Sequence, residues 1–396
     1  MIRITTNSSL RMYRSNLMKS TNSLNSAMTK LMTQRQFSSY ASNPAAATRA
    51  FKIHSSLNAT NAQYSNNDTV LHKYETAWST LESVLDGYDG LVQDTGRVPA
   101  LSGLNDTNLS TLNTQGQIIR EGAEAIIQAM NGKYGNNFVF AGADSLNAPF
   151  AINDKGFVTY RGVEIDNPDT LDDIYLDDKG QPIKDANGKD MTNKEVLDMW
   201  NEEHQYVDIG LGFKLDGNGE VIPSTAFDSA ISGIGIMGYG VDADGDPKNL
   251  ASIMLRLADI FEGYDHETQT WNVGSRSEAE ELLKKLDASR EAMGEKWTTL
   301  DTEANFLDKN GTQLENTYDA LNVERSNLED IDPAVLLYLI QKAEQAAGRY
   351  TRLDRYYRGE YPLLYPRPKA DEVRVAVNYA KYVVDIALGY YLGEPV

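Results

Sequence analysis

The chain has 396 residues, 41% of them hydrophobic and 9% aromatic, enough for two or three folded domains, and it has no cysteine for disulfides, thiolate metal sites or a cysteine nucleophile. No run approaches the eighteen or so apolar residues that a membrane-spanning helix needs, so no membrane partner is expected. The net charge of -20 combines +8 on the acid-free stretch Met1–Asn67, +2 on residues 333–396 and -30 between them, and so acidic a middle argues against nucleic acid, whose phosphates require a basic face.

In the first segment Leu10, Leu17, Leu24 and Leu31 stand seven apart, with Tyr13, Ala27 and Met28 three or four residues after members of the series. A sevenfold stripe stays on one side of a helix only if that helix winds around a partner. The remaining face is Ser, Thr and Asn, poor helix formers, so this helix is expected to order only when packed. Its basic, acid-free composition is shared by transit peptides, nucleic-acid arms and export-and-assembly segments, and the regular heptad favours the last. A cleaved secretory signal would show a continuous apolar core, and none follows the first basic residues.

The second stripe, Leu71, Tyr74, Trp78, Leu81, Leu85, Tyr88 and Val92, alternates steps of three and four. After a turn-rich break around Pro99–Asp106 a third follows: Leu109, Leu112, Gly116, Ile119, Ala123, Ile126 and Met130. These predict two helices over 68–92 and 107–134, folded as an antiparallel hairpin. Leu286, Met293, Leu300, Leu307, Leu314, Leu321 and Leu328 then repeat at seven without a gap, flanked by Trp297, Ala304 and Tyr318. The result is a predicted rod of roughly 60 Å at about 1.5 Å per residue, which must bury its stripe against the two earlier helices. Between Ala143 and Leu250 the periodicity is lost. Short runs such as Phe157–Tyr160 and Phe213–Leu215 alternate with Asp-Lys-Gly, Asn-Gly-Lys and Asp-Gly-Asn-Gly, the pattern of strands and tight turns.

Motifs that would carry chemistry are incomplete. Gly233–Gly238 matches the GxGxxG string, but Tyr239-Gly240-Val241-Asp242 starts no helix that could meet a pyrophosphate, so the segment reads as a flexible glycine-rich connection. Asp242-Ala243-Asp244-Gly245-Asp246, like Asp172-Asp173 and Asp177-Asp178, hints at calcium, yet the twelfth position from Asp242 is Ile253 where a calcium loop needs Glu. His54, His72, His204 and His266 are isolated and read as structural. No phosphate loop and no nucleophile elbow occurs, so no catalytic, cofactor or metal residue is assigned.

Leu31-Met32-Thr33-Gln34-Arg35 followed by Ser42-Asn43-Pro44-Ala45-Ala46-Ala47 resembles the N-terminal signature of the flagellin family, a leucine stripe, Thr-Gly-Lys-Arg, then Asp-Asp-Pro-Ala-Ala. Gly135–Gly142, Pro149-Phe150 and Tyr160-Arg161-Gly162 are similar to the Phe-Ala-Gly region of its hook-filament junction members more than to filament flagellin. Arg290–Gly294 and Ser326–Asp332 resemble the family's C-terminal motifs. Gln34-Arg35 in place of Gly-Lys, and Asn43 in place of the second Asp, depart from the pattern. The resemblance covers about five-sixths of the chain.

It implies a mainly α fold, a long antiparallel coiled-coil bundle built by the N- and C-terminal parts with a small inserted β-rich module. Residues 1–45 would be an uncleaved export signal and axial helix, 46–142 with 251–332 the helical rod, and 143–250 an outward module. It further implies a structural protein outside the cell at the hook-filament junction, with a neighbouring hook-associated protein, flagellin, further copies of itself and an export chaperone as partners. The residues expected to carry assembly are Leu10, Leu17, Leu24, Leu31, Leu71, Tyr74, Trp78, Leu81, Leu85, Leu300, Leu307, Leu314, Leu321 and Leu328. From Pro333 the likeness ends, and ten of the 22 tyrosines follow. Tyr356-Tyr357-Arg358-Gly359, Asn378–Asp385 and Gly393-Glu394-Pro395-Val396 resemble the start of tailed-phage portal proteins, with Asp332 as a seam between unrelated sequences. Filament flagellin, or a portal fragment fused to a helical scaffold in capsid assembly, are the competing readings.

Overall fold

The computed structural model describes residues 43–90, 111–177 and 179–332 continuously, with scattered positions between 15 and 41 and between 334 and 345. Two helices dominate it, α1 over Pro44–Gly87 and α6 over Arg276–Glu329. Among the described residues between them come α2 (Leu112–Met130), α3 (Asn193–Asn201), α4 (Gly233–Met237) and α5 (Leu250–Glu262), with nine strands of two or three residues. The fold is therefore mainly helical with a few small antiparallel sheets, as the sequence predicts. The chain divides into two units, residues 1–60 with 316–396, and residues 61–315.

α1 begins 24 residues earlier than the stripe at Leu71 predicts, and the reason lies in its seam. Ala46, Ile53, Thr60, Asn67, Tyr74, Leu81 and Tyr88 stand seven apart and are all buried, but Thr60 and Asn67 are polar and hide the repeat from an apolar count. Asn43 starts the helix by accepting a hydrogen bond from the Ala46 N–H at 3.2 Å, and Pro44 supplies the fixed φ suited to a first helical position.

In the unit of residues 61–315, α1 and α6 run antiparallel. Asp89 pairs with Arg290, Trp78 stacks on Trp297 at 5.5 Å, and Asn67 bonds Leu307 and Asn310, so a step forward on one helix matches a step back on the other. α5 packs its apolar residues into the core and keeps Arg256, Asp259 and Glu262 along its other side. Its cap Asn249 accepts from the N–H groups of Ala251 and Ser252. α2 lies against α5 where Gly116 leaves no room for a side chain, a Cβ there falling 3.1 Å from the Ala258 carbonyl. Arg120 fastens the pair through Asp259 at 2.7 Å and Glu262 at 3.0 Å.

The inserted module holds the three-stranded sheet β3 (Phe150–Ile152), β4 (Val158–Tyr160), β5 (Val163–Glu164) and the pair β6 (Tyr206–Val207) with β7 (Phe227–Asp228), all antiparallel. The pairs β1 (Lys133–Tyr134) with β2 (Asn137–Phe138), and β8 (Tyr264–Asp265) with β9 (Thr270–Trp271), lie outside the span the sequence marks as strand-rich. Phe213–Leu215 contributes only an isolated bridge from Leu215 to Val221.

The module's turns share one construction. Asn153, Asp177, Asp185, Asp216 and Asp242 each accept, through one side-chain oxygen, the N–H groups two and four residues on. In each the fourth residue is a glycine at φ between +73° and +89°, a region in which a side chain is strained. These are the Asp-Lys-Gly and Asp-Gly-Asn-Gly punctuations of the sequence, and they close by the same local chemistry.

Candidate assembly site

Of the fourteen residues that the sequence marks for assembly, Leu10, Leu17, Leu24 and Leu31 lie outside the described residues. Tyr74, Leu81, Leu85, Leu300, Leu307 and Leu314 are buried in the chain's own interior, and Leu71, Trp78, Leu321 and Leu328 are half-buried. Around the middle of this seam Asn67, 2% exposed, donates to the Leu307 carbonyl at 2.9 Å and accepts from Asn310 Nδ2 at 2.9 Å. Asn310 Nδ2 also donates to the Ile209 carbonyl at 2.9 Å. Gly311 permits the close approach, since a Cβ there would stand 3.0 Å from Asn67 Nδ2. A satisfied amide pair with Asn67 buried in an apolar seam fixes register, because any slip strands the Asn67 amide.

The motifs scattered through the sequence are drawn into two clusters. In the unit of residues 61–315, Asn131 brackets Phe150, accepting its N–H at 3.0 Å and donating to its carbonyl at 2.8 Å. The Phe150 ring meets Tyr160 edge-on at 5.1 Å, and the Tyr160 hydroxyl donates to the Phe140 carbonyl at 3.2 Å. Arg161 donates to the Ala141 carbonyl, pairs with Glu203 at 2.8 Å and lies over Trp200 at 5.2 Å. Phe140–Ala141, Pro149-Phe150 and Tyr160-Arg161 thus form one knot. Burial outweighs the Arg161 charge at the Tyr160 phenol and pushes its pKa up to about 12, so it stays a donor.

In the unit of residues 1–60 with 316–396, Gln36 N–H donates to the Glu329 carbonyl at 2.7 Å and Ile331 N–H to the Gln34 carbonyl at 3.0 Å. Arg35 and Asp330 pair between them, and His54 Nε2 lies 2.8 Å from the Glu329 carboxylate, itself 4% exposed. Gln34 holds φ at +54°, where the resembled family has glycine.

The motifs read as incomplete are accounted for by packing. Gly233–Gly238 is no flexible connection: it forms α4, capped by the Ser232 hydroxyl, which accepts the Gly235 N–H. A Cβ on Gly233 would stand 2.8 Å from the Phe140 carbonyl and 2.6 Å from the Phe150 ring, so this glycine lets the helix press on the knot. The carboxylates of Asp242, Asp244 and Asp246 surround Lys285 Nζ at 2.6, 3.4 and 2.5 Å, and that ammonium stands where a cation would. His72 lies 2.8 Å from Glu75, whose hydrogen bond raises its pKa, His204 2.6 Å from Asp228, and His266 edge-on to Tyr264. Among the described residues no group of three or more His, Asp or Glu is placed to hold a metal ion, and no helix is long and apolar enough to cross a membrane.

Sequence reasoning missed the polar half of the α1 seam and the Asn67–Asn310 pair. The signal that could have found them is the sevenfold spacing itself, followed through Thr60 and Asn67 regardless of polarity.

No curated protein matches the chain significantly. Among solved structures it is similar to a flagellar hook-associated protein of Vibrio parahaemolyticus, at 14% identity over 73% of this chain and 100% of that one, with a TM-score of 0.47. FlgL of Bacillus cereus shares 14% identity over 69% of this chain and 99% of its own, with a TM-score of 0.37. Flagellar hook-associated protein 3 of Legionella pneumophila shares 13% over 70% and 98%, with a TM-score of 0.42. Residues 336–396 match the sequence profile of the phage portal protein family of the SPP1 Gp6-like kind, where the sequence reading places a portal-like segment.

Proposed function

We propose that residues 1–332 act as a structural subunit of the bacterial flagellum, a protein of the hook-associated protein 3 type that joins hook to filament. The observation that carries this reading is the convergence of the resembling segments: residues near 140, 150 and 160 bond to one another directly. Family motifs that were chance matches would have no reason to meet. In this reading 1–45 is the export signal and axial helix, 46–142 and 251–332 the rod, and 143–250 the outward module. The partners are a neighbouring hook-associated protein, flagellin, further copies of the chain and an export chaperone, and the location is outside the cell. The role requires no catalysis.

Tyr74, Leu81, Leu85, Leu300, Leu307 and Leu314 serve the chain's own core, so contact with a neighbour is assigned to the stripe Leu10, Leu17, Leu24 and Leu31 together with the half-buried Leu71, Trp78, Leu321 and Leu328. Residues 333–396, portal-like in sequence, stand where the family's final helix would pair with that stripe.

Immunogold labelling of intact flagella tests the reading in cells that express the chain with a family-like C-terminus. Label confined to the junction between hook and filament supports it, label along the whole filament supports filament flagellin instead, and no extracellular label overturns both. The chain as it stands should attach filaments poorly, and normal attachment would refute the idea that the first stripe has lost its partner.

A further inference from the structure

The sequence carries the pair Asn-Gly four times, at Asn131-Gly132, Asn187-Gly188, Asn218-Gly219 and Asn310-Gly311. The pair has a chemistry of its own. With no side chain on the second residue, the glycine backbone nitrogen can reach the Asn side-chain carbonyl carbon and close an imide ring. Closure needs two freedoms: the glycine N–H must leave its hydrogen bond so that the nitrogen can lose its proton, and the Asn amide must be able to turn toward it.

The fold withholds both freedoms at two of the four. Asn131 holds Phe150 through both side-chain polar atoms, at 3.0 and 2.8 Å, and the Gly132 N–H donates to the Ala129 carbonyl at 2.9 Å. Asn310 Nδ2 donates to Asn67 and to the Ile209 carbonyl, both at 2.9 Å, and Gly311 lies well inside α6, where freeing one N–H means opening the helix around it. The other two pairs stand at the tips of self-closing turns. Asn187 and Asn218 are exposed, and a Cβ on Gly188 or Gly219 would meet nothing within 4 Å. The Gly188 N–H donates to the Asp185 carbonyl at 3.0 Å and the Gly219 N–H to the Asp216 carbonyl at 3.2 Å, single bonds in exposed turns that open at little cost. The two differ in the amide: Asn187 Nδ2 rests on Asp185 Oδ2 at 3.4 Å, whereas among the described residues Asn218 is bonded through its backbone N–H and not through its side chain.

We propose that Asn187 and Asn218 are sites of spontaneous covalent modification in the folded chain, converting to aspartate and isoaspartate with Asn218 the faster, while the fold protects Asn131 and Asn310. The glycine nitrogen bonds to the Asn Cγ and gives up its proton, the Cγ–Nδ2 bond breaks, and Nδ2 leaves as ammonia with that proton. Water then adds to one imide carbonyl. Cleavage at Cγ leaves aspartate, and cleavage at the main-chain carbonyl leaves isoaspartate, with no change of oxidation state. Each event adds a negative charge beside the Asp185 or Asp216 carboxylate, and isoaspartate also adds a carbon to the backbone of the turn. The chemistry does not depend on a flagellar role.

The test holds the full chain at about pH 8.5 and about 37 °C for several days, digests samples at mildly acidic pH, and reads each Asn-Gly peptide by mass spectrometry with fragmentation that separates isoaspartate from aspartate. A parallel sample is kept unfolded in guanidinium chloride. In the folded chain Asn218 should convert first and Asn187 next, with Asn131 and Asn310 at least about tenfold slower than Asn218, while in guanidinium chloride the four rates come together. Asp216→Ala removes the carboxylate that closes the turn at 216–220, all of it exposed, and should speed Asn218 at least about twofold while leaving Asn187 unchanged. Equal rates at all four pairs in the folded chain overturn the proposal, as does conversion to aspartate without isoaspartate, which would be direct hydrolysis with no imide. Asn187 outpacing Asn218, or an unchanged Asn218 rate in Asp216→Ala, overturns the assignment of the rates to the bonds within the turns.

Discussion

Asn67 and Asn310 form the polar step in the seam between α1 and α6, and replacing them measures what the step contributes. Asn67→Ala removes two buried hydrogen bonds, to the Leu307 carbonyl and from Asn310 Nδ2. The Leu307 carbonyl keeps its helical partner and Asn310 keeps the Ile209 carbonyl, so neither is stranded. At about 1 kcal/mol net per bond, with a small cavity added, the loss is about 2 to 3 kcal/mol. Asn310→Ala loses the bond to Asn67 and the bond to Ile209 and leaves Asn67 Oδ1 buried without a donor, again about 2 to 3 kcal/mol. Because one bond is common to both, the double variant should cost about 1 kcal/mol less than the two losses added together. Urea unfolding read by tryptophan emission suits the measurement, since Trp78 and Trp297 stack a few turns along the same seam. Losses that add to within about 0.3 kcal/mol would refute the claim that the two amides act as a pair.

Two further outcomes are expected. Gln34→Gly should stabilise the clasp with residues 329–331 by about 0.5 to 1 kcal/mol, because glycine adopts φ near +54° without the strain a side chain meets there; unchanged thermal unfolding would show that the strain is absent. Burial raises the Asp166 pKa from 3.8 to about 6, so the folded chain holds its proton more tightly than the unfolded chain does. The contribution of Asp166 to stability should therefore be greatest below about pH 4, fall as pH rises to about 6 and stay low above it. Asp166→Asn should remove that slope and gain up to about 3 kcal/mol at pH 7.5; a variant with the wild-type pH profile would place the burial cost elsewhere.

The mainly helical class, the long C-terminal helix and its antiparallel partner were legible from spacing alone, since leucines seven apart line up on one face only when the chain is helical and packed along a partner. The first half of α1 was not, because polarity was read as absence: Thr60 is buried in the seam, and Asn67 holds its seam position by hydrogen bonding rather than by burial of apolar surface. The α2 helix was found from its stripe, but its embrace of α5 was not, because the sequence reading marked no helix over 250–262 that α2 could meet. For the candidate site, the motif residues could be singled out in sequence, while their convergence depends on contacts such as Asn131 with Phe150 that no spacing rule reports. The glycines of 233–238 look like a cofactor string for the same reason that they pack well: both uses need backbone to approach another group closely.

The five self-closing turns of the module separate its length from its stability. Each satisfies its own backbone within five residues, and at the 216 turn, for instance, Asp216 binds Asn218 and Glu220 and needs nothing from the rest of the fold. A ribbon rising into a turn like that at 216 can be lengthened or trimmed in register pairs without disturbing a helix, whereas the 242 turn is held to Lys285 of α6. The module thus offers separate places where a surface loop could change length while the α1–α6 seam keeps its register.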